Sequence, residues 1–255
     1  MNTAVILAAG QGTRLRTELA DRPKGCMRLG ERSIVEESIG RLAACGIGEV
    51  IVVTGYAAAH YDELARICTL PVRTVHNPEF ARSGSMYSLA CAAAVTRGPF
   101  LLLESDLVYE PRALSVLLGQ PAADAILLSG PTGAGDEVFV EARHGRLVAM
   151  SKDRTRLGPG VAGELVGISR ISRELFERML RIAATGFART LMIDYETDCL
   201  VAAAGEHPVD CVLVPDLLWG EIDDATHLRR VRDEVYPRVA ALDRELPSGG
   251  GSRSE

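Results

Sequence analysis

Apolar positions in the first half of the chain gather into short runs separated by segments of helical spacing. AVILA (4–8), EVIVVTG (49–55) and FLLLESD (100–106) are Val-, Ile- and Leu-rich, and VRTVHN (72–77) reads as a fourth, more polar strand. Runs of that length with little alternation predict strands buried on both faces. Between them, SIVEESIGRLAACGI (33–47), AAHYDELARIC (58–68), SMYSLACAAAV (85–95) and PRALSVLL (111–118) read as helices. Ser33 and Glu36 have capping-box spacing, Gly46 stands near the end of that helix, and Pro111 falls in the first turn of the fourth. Strand–helix alternation of this kind predicts a parallel sheet covered by helices on both faces.

After residue 120 the spacing tightens. Residues 123–129, EVFVEA (137–142), RLVAMS (146–151) and VAGELVGIS (161–169) read as strands joined by short turns. RELFERMLRIAA (173–184) and DYETDCLVAAAG (194–205) read as helices, PVDCVLVP (208–215) as a strand and DATHLRRVRDEVY (224–236) as a last helix with Asp224 as its N-cap. The end, PSGGGSRSE (247–255), has the composition of a disordered tail. Neither a repeat nor a linker divides the rest, so residues 1–246 are expected to form one mixed α/β domain.

Composition narrows the function classes. The 255 residues are 47% hydrophobic and 24% charged, as in ordinary globular chains. No apolar run reaches the ~18 residues of a membrane span. The segment MNTAVILAAG lacks the basic start of a signal peptide, so a cytoplasmic location is expected. The six cysteines form no CxxC pair and have apolar neighbours, and the five histidines show no HxxxH spacing, which argues against structural zinc. A net charge of −6 argues against nucleic acid as a partner. Against that acidic background, residues 14–28 hold Arg14, Arg16, Arg22, Lys24 and Arg28 with only Glu18 and Asp21. A locally basic loop on an acidic protein suits a small, highly charged ligand.

That loop follows the first strand directly. In a parallel sheet, ligands bind beyond the carboxyl ends of the strands. LAAGQGTR supplies glycines there, which let backbone N–H groups approach phosphates, and basic side chains complete the cradle. GxxxxGK[ST] is absent, and GxGxxG fails at Leu15. Asp106 ends the strand FLLLESD at the ligand edge, where a hard carboxylate suits a divalent ion; Glu104 lies two residues earlier on the same face, also a candidate but reading better as a support behind Asp106. Glu221 and Asp223 share one side of WGEID if that segment is extended. Of the 28 basic residues, only Lys24 and Lys152 are lysines. A compact ammonium can slip between phosphoryl oxygens where a planar guanidinium cannot.

LAAGQGTR followed by PK resembles the signature of the nucleotidyltransferases that activate sugar phosphates and related acids. NPEFARSGSMYSLACA (77–92), LLLESDLVYE (101–110) and LLWGEIDDATHLRRV (217–231) resemble the CTP-using branch, which includes phosphocholine and 2-aminoethylphosphonate cytidylyltransferases. The resemblance spans about residues 3–235. It implies a Rossmann-like α/β fold with a mixed, mostly parallel sheet, its N-terminal half binding nucleotide and its C-terminal half the acceptor. Leu7, Ala8, Ala9, Gly10, Gly12, Thr13, Arg14, Lys24, Gly84, Ser85 and Ser105 are then expected at the nucleotide, although Ser85 can equally cap its helix. Tyr87, Lys152, Tyr195 and Glu196 are expected at the acceptor, although Tyr195 can equally be plain core, and Asp106, Glu221 and Asp223 are expected on Mg²⁺. Arg14, Lys24 and Lys152 would be catalytic. Arg82 stands between an anion pocket and plain exposure, and Cys26, beside Lys24, reads as a buried thiol rather than a reactive one.

The resemblance implies that CTP and a small phosphonate (2-aminoethyl-, 2-hydroxyethylphosphonate or phosphonoformate) give a CMP-phosphonate and pyrophosphate, in phosphonate biosynthesis. It leaves room for a homodimer and calls for no membrane. Phosphocholine would need an aromatic cage, and the chain is 5% aromatic with one tryptophan. A sugar-1-phosphate nucleotidyltransferase would keep the first loop without GSMYSL and WGEID. A guanylyltransferase of the molybdenum-cofactor type has a loop unlike GQGTR. A non-catalytic nucleotide-binding regulator would be expected to lose the acids or a loop lysine.

Overall fold

The structure, a computed structural model, describes residues 1–15, 18 and 21–245. Arg16 and the segment 247–255 lie outside the described residues. Strands β1 (Thr3–Ala8), β2 (Glu49–Thr54), β3 (Val72–His76), β4 (Phe100–Glu104), β6 (Ala125–Ser129), β7 (Phe139–Arg143), β8 (Arg146–Ser151), β9 (Val161–Ile171) and β10 (Asp210–Val214) form one sheet. Its order is β3-β2-β1-β4-β9-β6-β10-β8-β7, with β7 also paired to β9. Strands β1 to β4 are mutually parallel, and β10 is parallel to β6. Strand β9 runs antiparallel to β4, β6 and β7, and β8 antiparallel to β7 and β10. The sheet is thus mixed, with β8 and β9 opposed to the common direction.

Its two faces carry separate cores. In β1, Ala4, Ile6 and Ala8 enter one core and Val5 the other, the period-two alternation of a strand. Helices α1 (Ile34–Ala44), α2 (Ala59–Ile67) and α4 (Arg112–Leu118) cover the first face through Val35, Ile39, Leu42, Leu64 and Leu114. Helices α3 (Ser85–Cys91) and α5 (Arg173–Phe187) cover the second through Met86, Leu89, Leu175 and Met179. The capping box of α1 is formed: Glu36 N donates to Ser33 Oγ at 3.3 Å and Ser33 N to Glu36 Oε2 at 2.6 Å. No helix among the described residues is long and apolar enough to cross a membrane.

Three predicted elements differ. FLLLESD does not continue as one strand. Strand β4 makes its last bond near Ser105, whose N donates to Leu7 O at 3.1 Å, and the chain then turns. Strand β5 (Leu107–Tyr109) leaves the sheet to pair with β11 (Trp219–Glu221), matching Leu107 with Glu221 and Tyr109 with Trp219. Apolar residues on both sides of the break hid it from periodicity. The last helix is also longer and less regular than expected. Helix α7 (Ala225–Arg230) widens into a π-turn (Val231–Val235) and continues as α8 (Tyr236–Glu245). The segment 194–205 likewise begins as a π-turn (Tyr195–Leu200) before α6 (Val201–Ala204). A third small core joins Leu15 to Ile34, Val108, Ile222, Val231, Val235 and Val239, tying the glycine loop to the C-terminal helices.

Candidate active site

The loop after β1 is shaped by two glycines and one anchor. Gly12 has φ +58°, a left-handed conformation that glycine adopts freely, and Leu15 N closes the turn on Gly12 O at 2.9 Å. Leu15 is fully buried while Thr13 and Arg14 stay at the surface. Further on, Pro23-Lys24-Gly25 packs against the end of β4. A Cβ at Gly25 would lie 2.6 Å from Val35 Cγ2 and 2.9 Å from Ser105 O, so only glycine lets the loop come this close. The approach brings Lys24 Nζ to Asp106 Oδ2 at 2.8 Å and into contact with Asp223 Oδ1. Arg14 Nη2 lies 2.8 Å from Asp223 Oδ2. Burial alone would lower the Lys24 ammonium, but Asp106 and Asp223 outweigh it and hold it above its ordinary range. Burial raises the Asp223 carboxyl, and Lys24 and then Arg14 outweigh that, holding it at about 2.

More acids converge here than two cations balance. Carboxylate oxygens of Glu104, Asp106 and Glu221 lie within 4.8 Å of one another, as do those of Asp136, Glu221 and Asp223. Burial, then the charges of Glu196 and Asp106, push Glu104 up to about 8. Burial, then Asp106 and Glu104, push Glu221 well above the carboxylate range. Hard oxygen donors with uncompensated charge fit a divalent cation such as Mg²⁺. Glu104 therefore stands among the acids in front, beside Asp106. Asp136 was invisible to sequence reasoning, because its loop GPTGAGDEV has no periodicity and pairs with nothing nearby in the chain. Asp224 caps α7, accepting from Thr226 N at 2.8 Å and His227 N at 2.9 Å.

Two cavities meet at these acids. The first, about 220 Å³, is lined by Leu7, Ala8, Ala9, Gly10, Lys24, Gly84, Ser85, Ser105 and Asp106, together with Tyr61, Phe80, Ser83, Ser88 and Glu104. Gly12, Thr13 and Arg14 belong to the loop beside it and do not line it. Gly84 occupies the N-cap position of α3, where a Cβ would come 2.3 Å from Ile193 O. Ser85 is therefore not the cap. Its Oγ accepts from Tyr195 N at 2.9 Å and fastens α3 to the Tyr195 turn.

The second cavity, about 70 Å³, shares Glu104 and is lined by Lys152, Glu196, Asp136, Glu137, Trp219, Glu221 and Arg230 among others. Lys152 is exposed at the end of β8. Burial pushes Glu196 up to about 7. Tyr195 is fully buried and lines neither cavity; its Oη donates to Glu104 Oε1 at 2.8 Å. Tyr87 also lines neither, lying edge-on to Phe187 with centroids 5.2 Å apart. Arg82 is exposed and paired with Glu79. Cys26 is half-buried, and burial pushes its thiol up to about 11.

Solved structures share this fold. The inositol-1-phosphate CTP transferase from T. maritima superposes with TM-score 0.82 over 97% of this chain and 98% of that one, at 18% identity. The CTP:phosphocholine cytidylyltransferase from Streptococcus pneumoniae gives 0.69 over 91% and 99%, also at 18% identity. In sequence, the CMP-5'-(3-aminopropyl)phosphonate synthase of Streptomyces rubellomurinus is 32% identical over 92% of this chain and 39% of its own length. The 2-aminoethylphosphonate cytidylyltransferase of Lancefieldella rimae is 27% identical over 73% and 74%. Against a bifunctional IPC transferase and DIPP synthase of Rubrobacter xylanophilus the figures are 30%, 93% and 53%. The chain thus spans about two fifths to half the length of the more similar of these relatives. The sequence model of the MobA-like NTP transferase domain matches residues 4–235, from the first strand through the π-turn beyond Arg230. With glycine loop, acids and both cavities all inside that span, the chain belongs to the MobA-like NTP transferase domain family.

Proposed function

We propose that the chain is a CTP-dependent cytidylyltransferase that joins CMP to a small phosphonate and releases pyrophosphate, in phosphonate biosynthesis. The observation that carries this reading is the pair of cavities sharing Glu104, one beneath the glycine loop and one lined by Lys152 and Glu196. The first is assigned to CTP and the second to the acceptor. Similarity to two proteins named for aminoalkylphosphonates supports the choice of nucleotide and acceptor class.

A phosphonate oxygen attacks the α-phosphorus, a new P–O–P link forms, and the bond to the departing pyrophosphate breaks. The acceptor is already ionised near neutral pH, so no proton has to move. The residues' work is positioning and charge neutralisation. Leu7 to Gly10, with Gly12, Thr13, Gly84, Ser85 and Ser105, hold the nucleotide, while Arg14 and Lys24 take up charge on the pyrophosphate. Lys152 holds the acceptor anion against repulsion from CTP. Tyr195 fixes Glu104, and Tyr87 packs on Phe187 away from the acceptor cavity. Asp106, Glu221 and Asp223, with Glu104 and Asp136 beside them, would hold a divalent cation, which would supply further charge neutralisation at the phosphates.

The second cavity favours an amine-bearing phosphonate over hydroxyethylphosphonate or phosphonoformate. Glu137 and Glu196 line it outside both acid groups, and Glu196 is assigned to the amine. Trp219 is the one aromatic ring among its lining residues, too few for a quaternary-ammonium cage.

The test is pyrophosphate release with CTP, Mg²⁺ and a panel of 2-aminoethylphosphonate, hydroxyethylphosphonate, phosphonoformate, phosphocholine and glucose-1-phosphate. Release with the aminoalkylphosphonate is expected. Release only with glucose-1-phosphate would make the chain a sugar-phosphate enzyme. Silence with every nucleoside triphosphate and acceptor would leave a nucleotide-binding regulator.

A further inference from the structure

Two residues that line the second cavity each carry a buried donor with no hydrogen-bond partner among the described residues. Trp219 lies on β11, 9% exposed, and its Nε1 has no hydrogen-bond partner among the described residues. Arg230 ends α7, and its Nε is likewise buried and unpartnered. Both residues line this one small cavity. The intervening Gly220 makes room for the arrangement. A Cβ there would come 2.7 Å from Val231 Cγ2 and 3.3 Å from Arg230 Nη2, so glycine lets the guanidinium lie close over β11.

Indole and guanidinium nitrogens only donate, so they are met by an oxygen acceptor and never by an ammonium group. Several lining carboxylates are engaged elsewhere. Glu104 accepts from Tyr195 Oη, Glu137 from Gly135 N and Glu196 from Ser85 Oγ. Buried polar groups in proteins are as a rule paired, and exceptions gathered in one cavity point to a ligand. Resting on the assignment of this cavity to the acceptor, we infer that Trp219 and Arg230 form an oxyanion-recognition edge that donates to the acceptor's phosphonate oxygens, with Lys152 at the exposed side.

Trp219 is the sole tryptophan of the sequence, so its emission reports on this edge directly. The wild-type protein would be titrated, with Mg²⁺ and an α,β-methylene analogue of CTP, against 2-aminoethylphosphonate, methylphosphonate and ethylamine. Both phosphonates should change the emission and ethylamine should not. In turnover assays, Trp219→Phe and Arg230→Met should raise the acceptor KM about tenfold or more, with the KM for CTP unchanged, as expected when one hydrogen bond to a charged group is lost. Arg230→Lys should restore part of the loss. Wild-type turnover with unchanged acceptor KM in both variants would overturn the inference and leave the cytidylyltransferase reading intact. A phosphonate-dependent emission change without any turnover would do the opposite. Emission indifferent to both phosphonates would overturn the inference whatever the turnover.

Discussion

Two neighbouring aspartates in WGEIDD point to different tasks. Asp224 turns back to cap α7, while Asp223 meets Lys24 and Arg14. Asp224→Ala should therefore cost about 1 kcal/mol of stability, the usual worth of an N-cap, and leave pyrophosphate release nearly unchanged. Asp223→Ala should cut release by about two orders of magnitude or more, as loss of a charge-positioning group does, with the fold retained. Thermal melts and pyrophosphate assays on both variants check this, and a silent Asp224→Ala beside an active Asp223→Ala would reverse the assignment. Lys24 makes a second case. Its ammonium lies between Asp106 and Asp223, as an internal counter-ion for carboxylates suited to a cation. Lys24→Ala should raise the affinity of the nucleotide-free protein for Mn²⁺ by about an order of magnitude, because opposite charges at that range compete directly. Calorimetric titration reads this, and unchanged or weaker binding would mean the lysine does not screen the acids. Lys24, Asp106 and Asp223 were legible in the sequence because each ends or follows a recognisable run. Asp136 was not, since only the folding of the 130–138 loop over β11 and α7 brings it to Glu221.

The elements were legible to the extent that their cores are local. Helix α1 announced itself through Ser33, Glu36 and its apolar stripe, and its capping box is present with both bonds. Strands β1, β2 and β4 follow the predicted runs within a residue or two, because burial on both faces demands uninterrupted apolar residues, while β3 is a half-buried edge strand. The break between β4 and β5 was not legible. Leu107, Val108 and Tyr109 are as buried as the strand before them, and only pairing with β11 distinguishes the two. That unforeseen turn is what brings Asp106 to the WGEID segment. The reversed direction of β9 was equally hidden, since a strand's residues state its burial and not its orientation. The π-turns at Tyr195–Leu200 and Val231–Val235 also leave no mark in apolar spacing, although both lie against functional cavities or the loop anchor.

At the scale of the molecule, the sheet runs across the two halves into which the chain was expected to divide. Strand β9, from the second half, lies between β4 and β6 and pairs with both, Leu103 opposite Ile168 and Ile126 opposite Ser169. Residues 1–120 expressed alone would therefore carry β3-β2-β1-β4 with a long apolar edge open at Leu101 and Leu103. Such a fragment should associate and show weak amide protection in β4, because unpaired central edges template aggregation. Size-exclusion and hydrogen-exchange measurements check this, and a monomeric, protected fragment would show that the sheet does not need its later strand. The same strand order has a temporal consequence. During synthesis β4 leaves the ribosome long before β9, and residues 105–160 must be made in between. At roughly 5–20 residues per second, the open edge waits several seconds for its partner, so a central seam of the sheet is one whose closure the pace of translation sets.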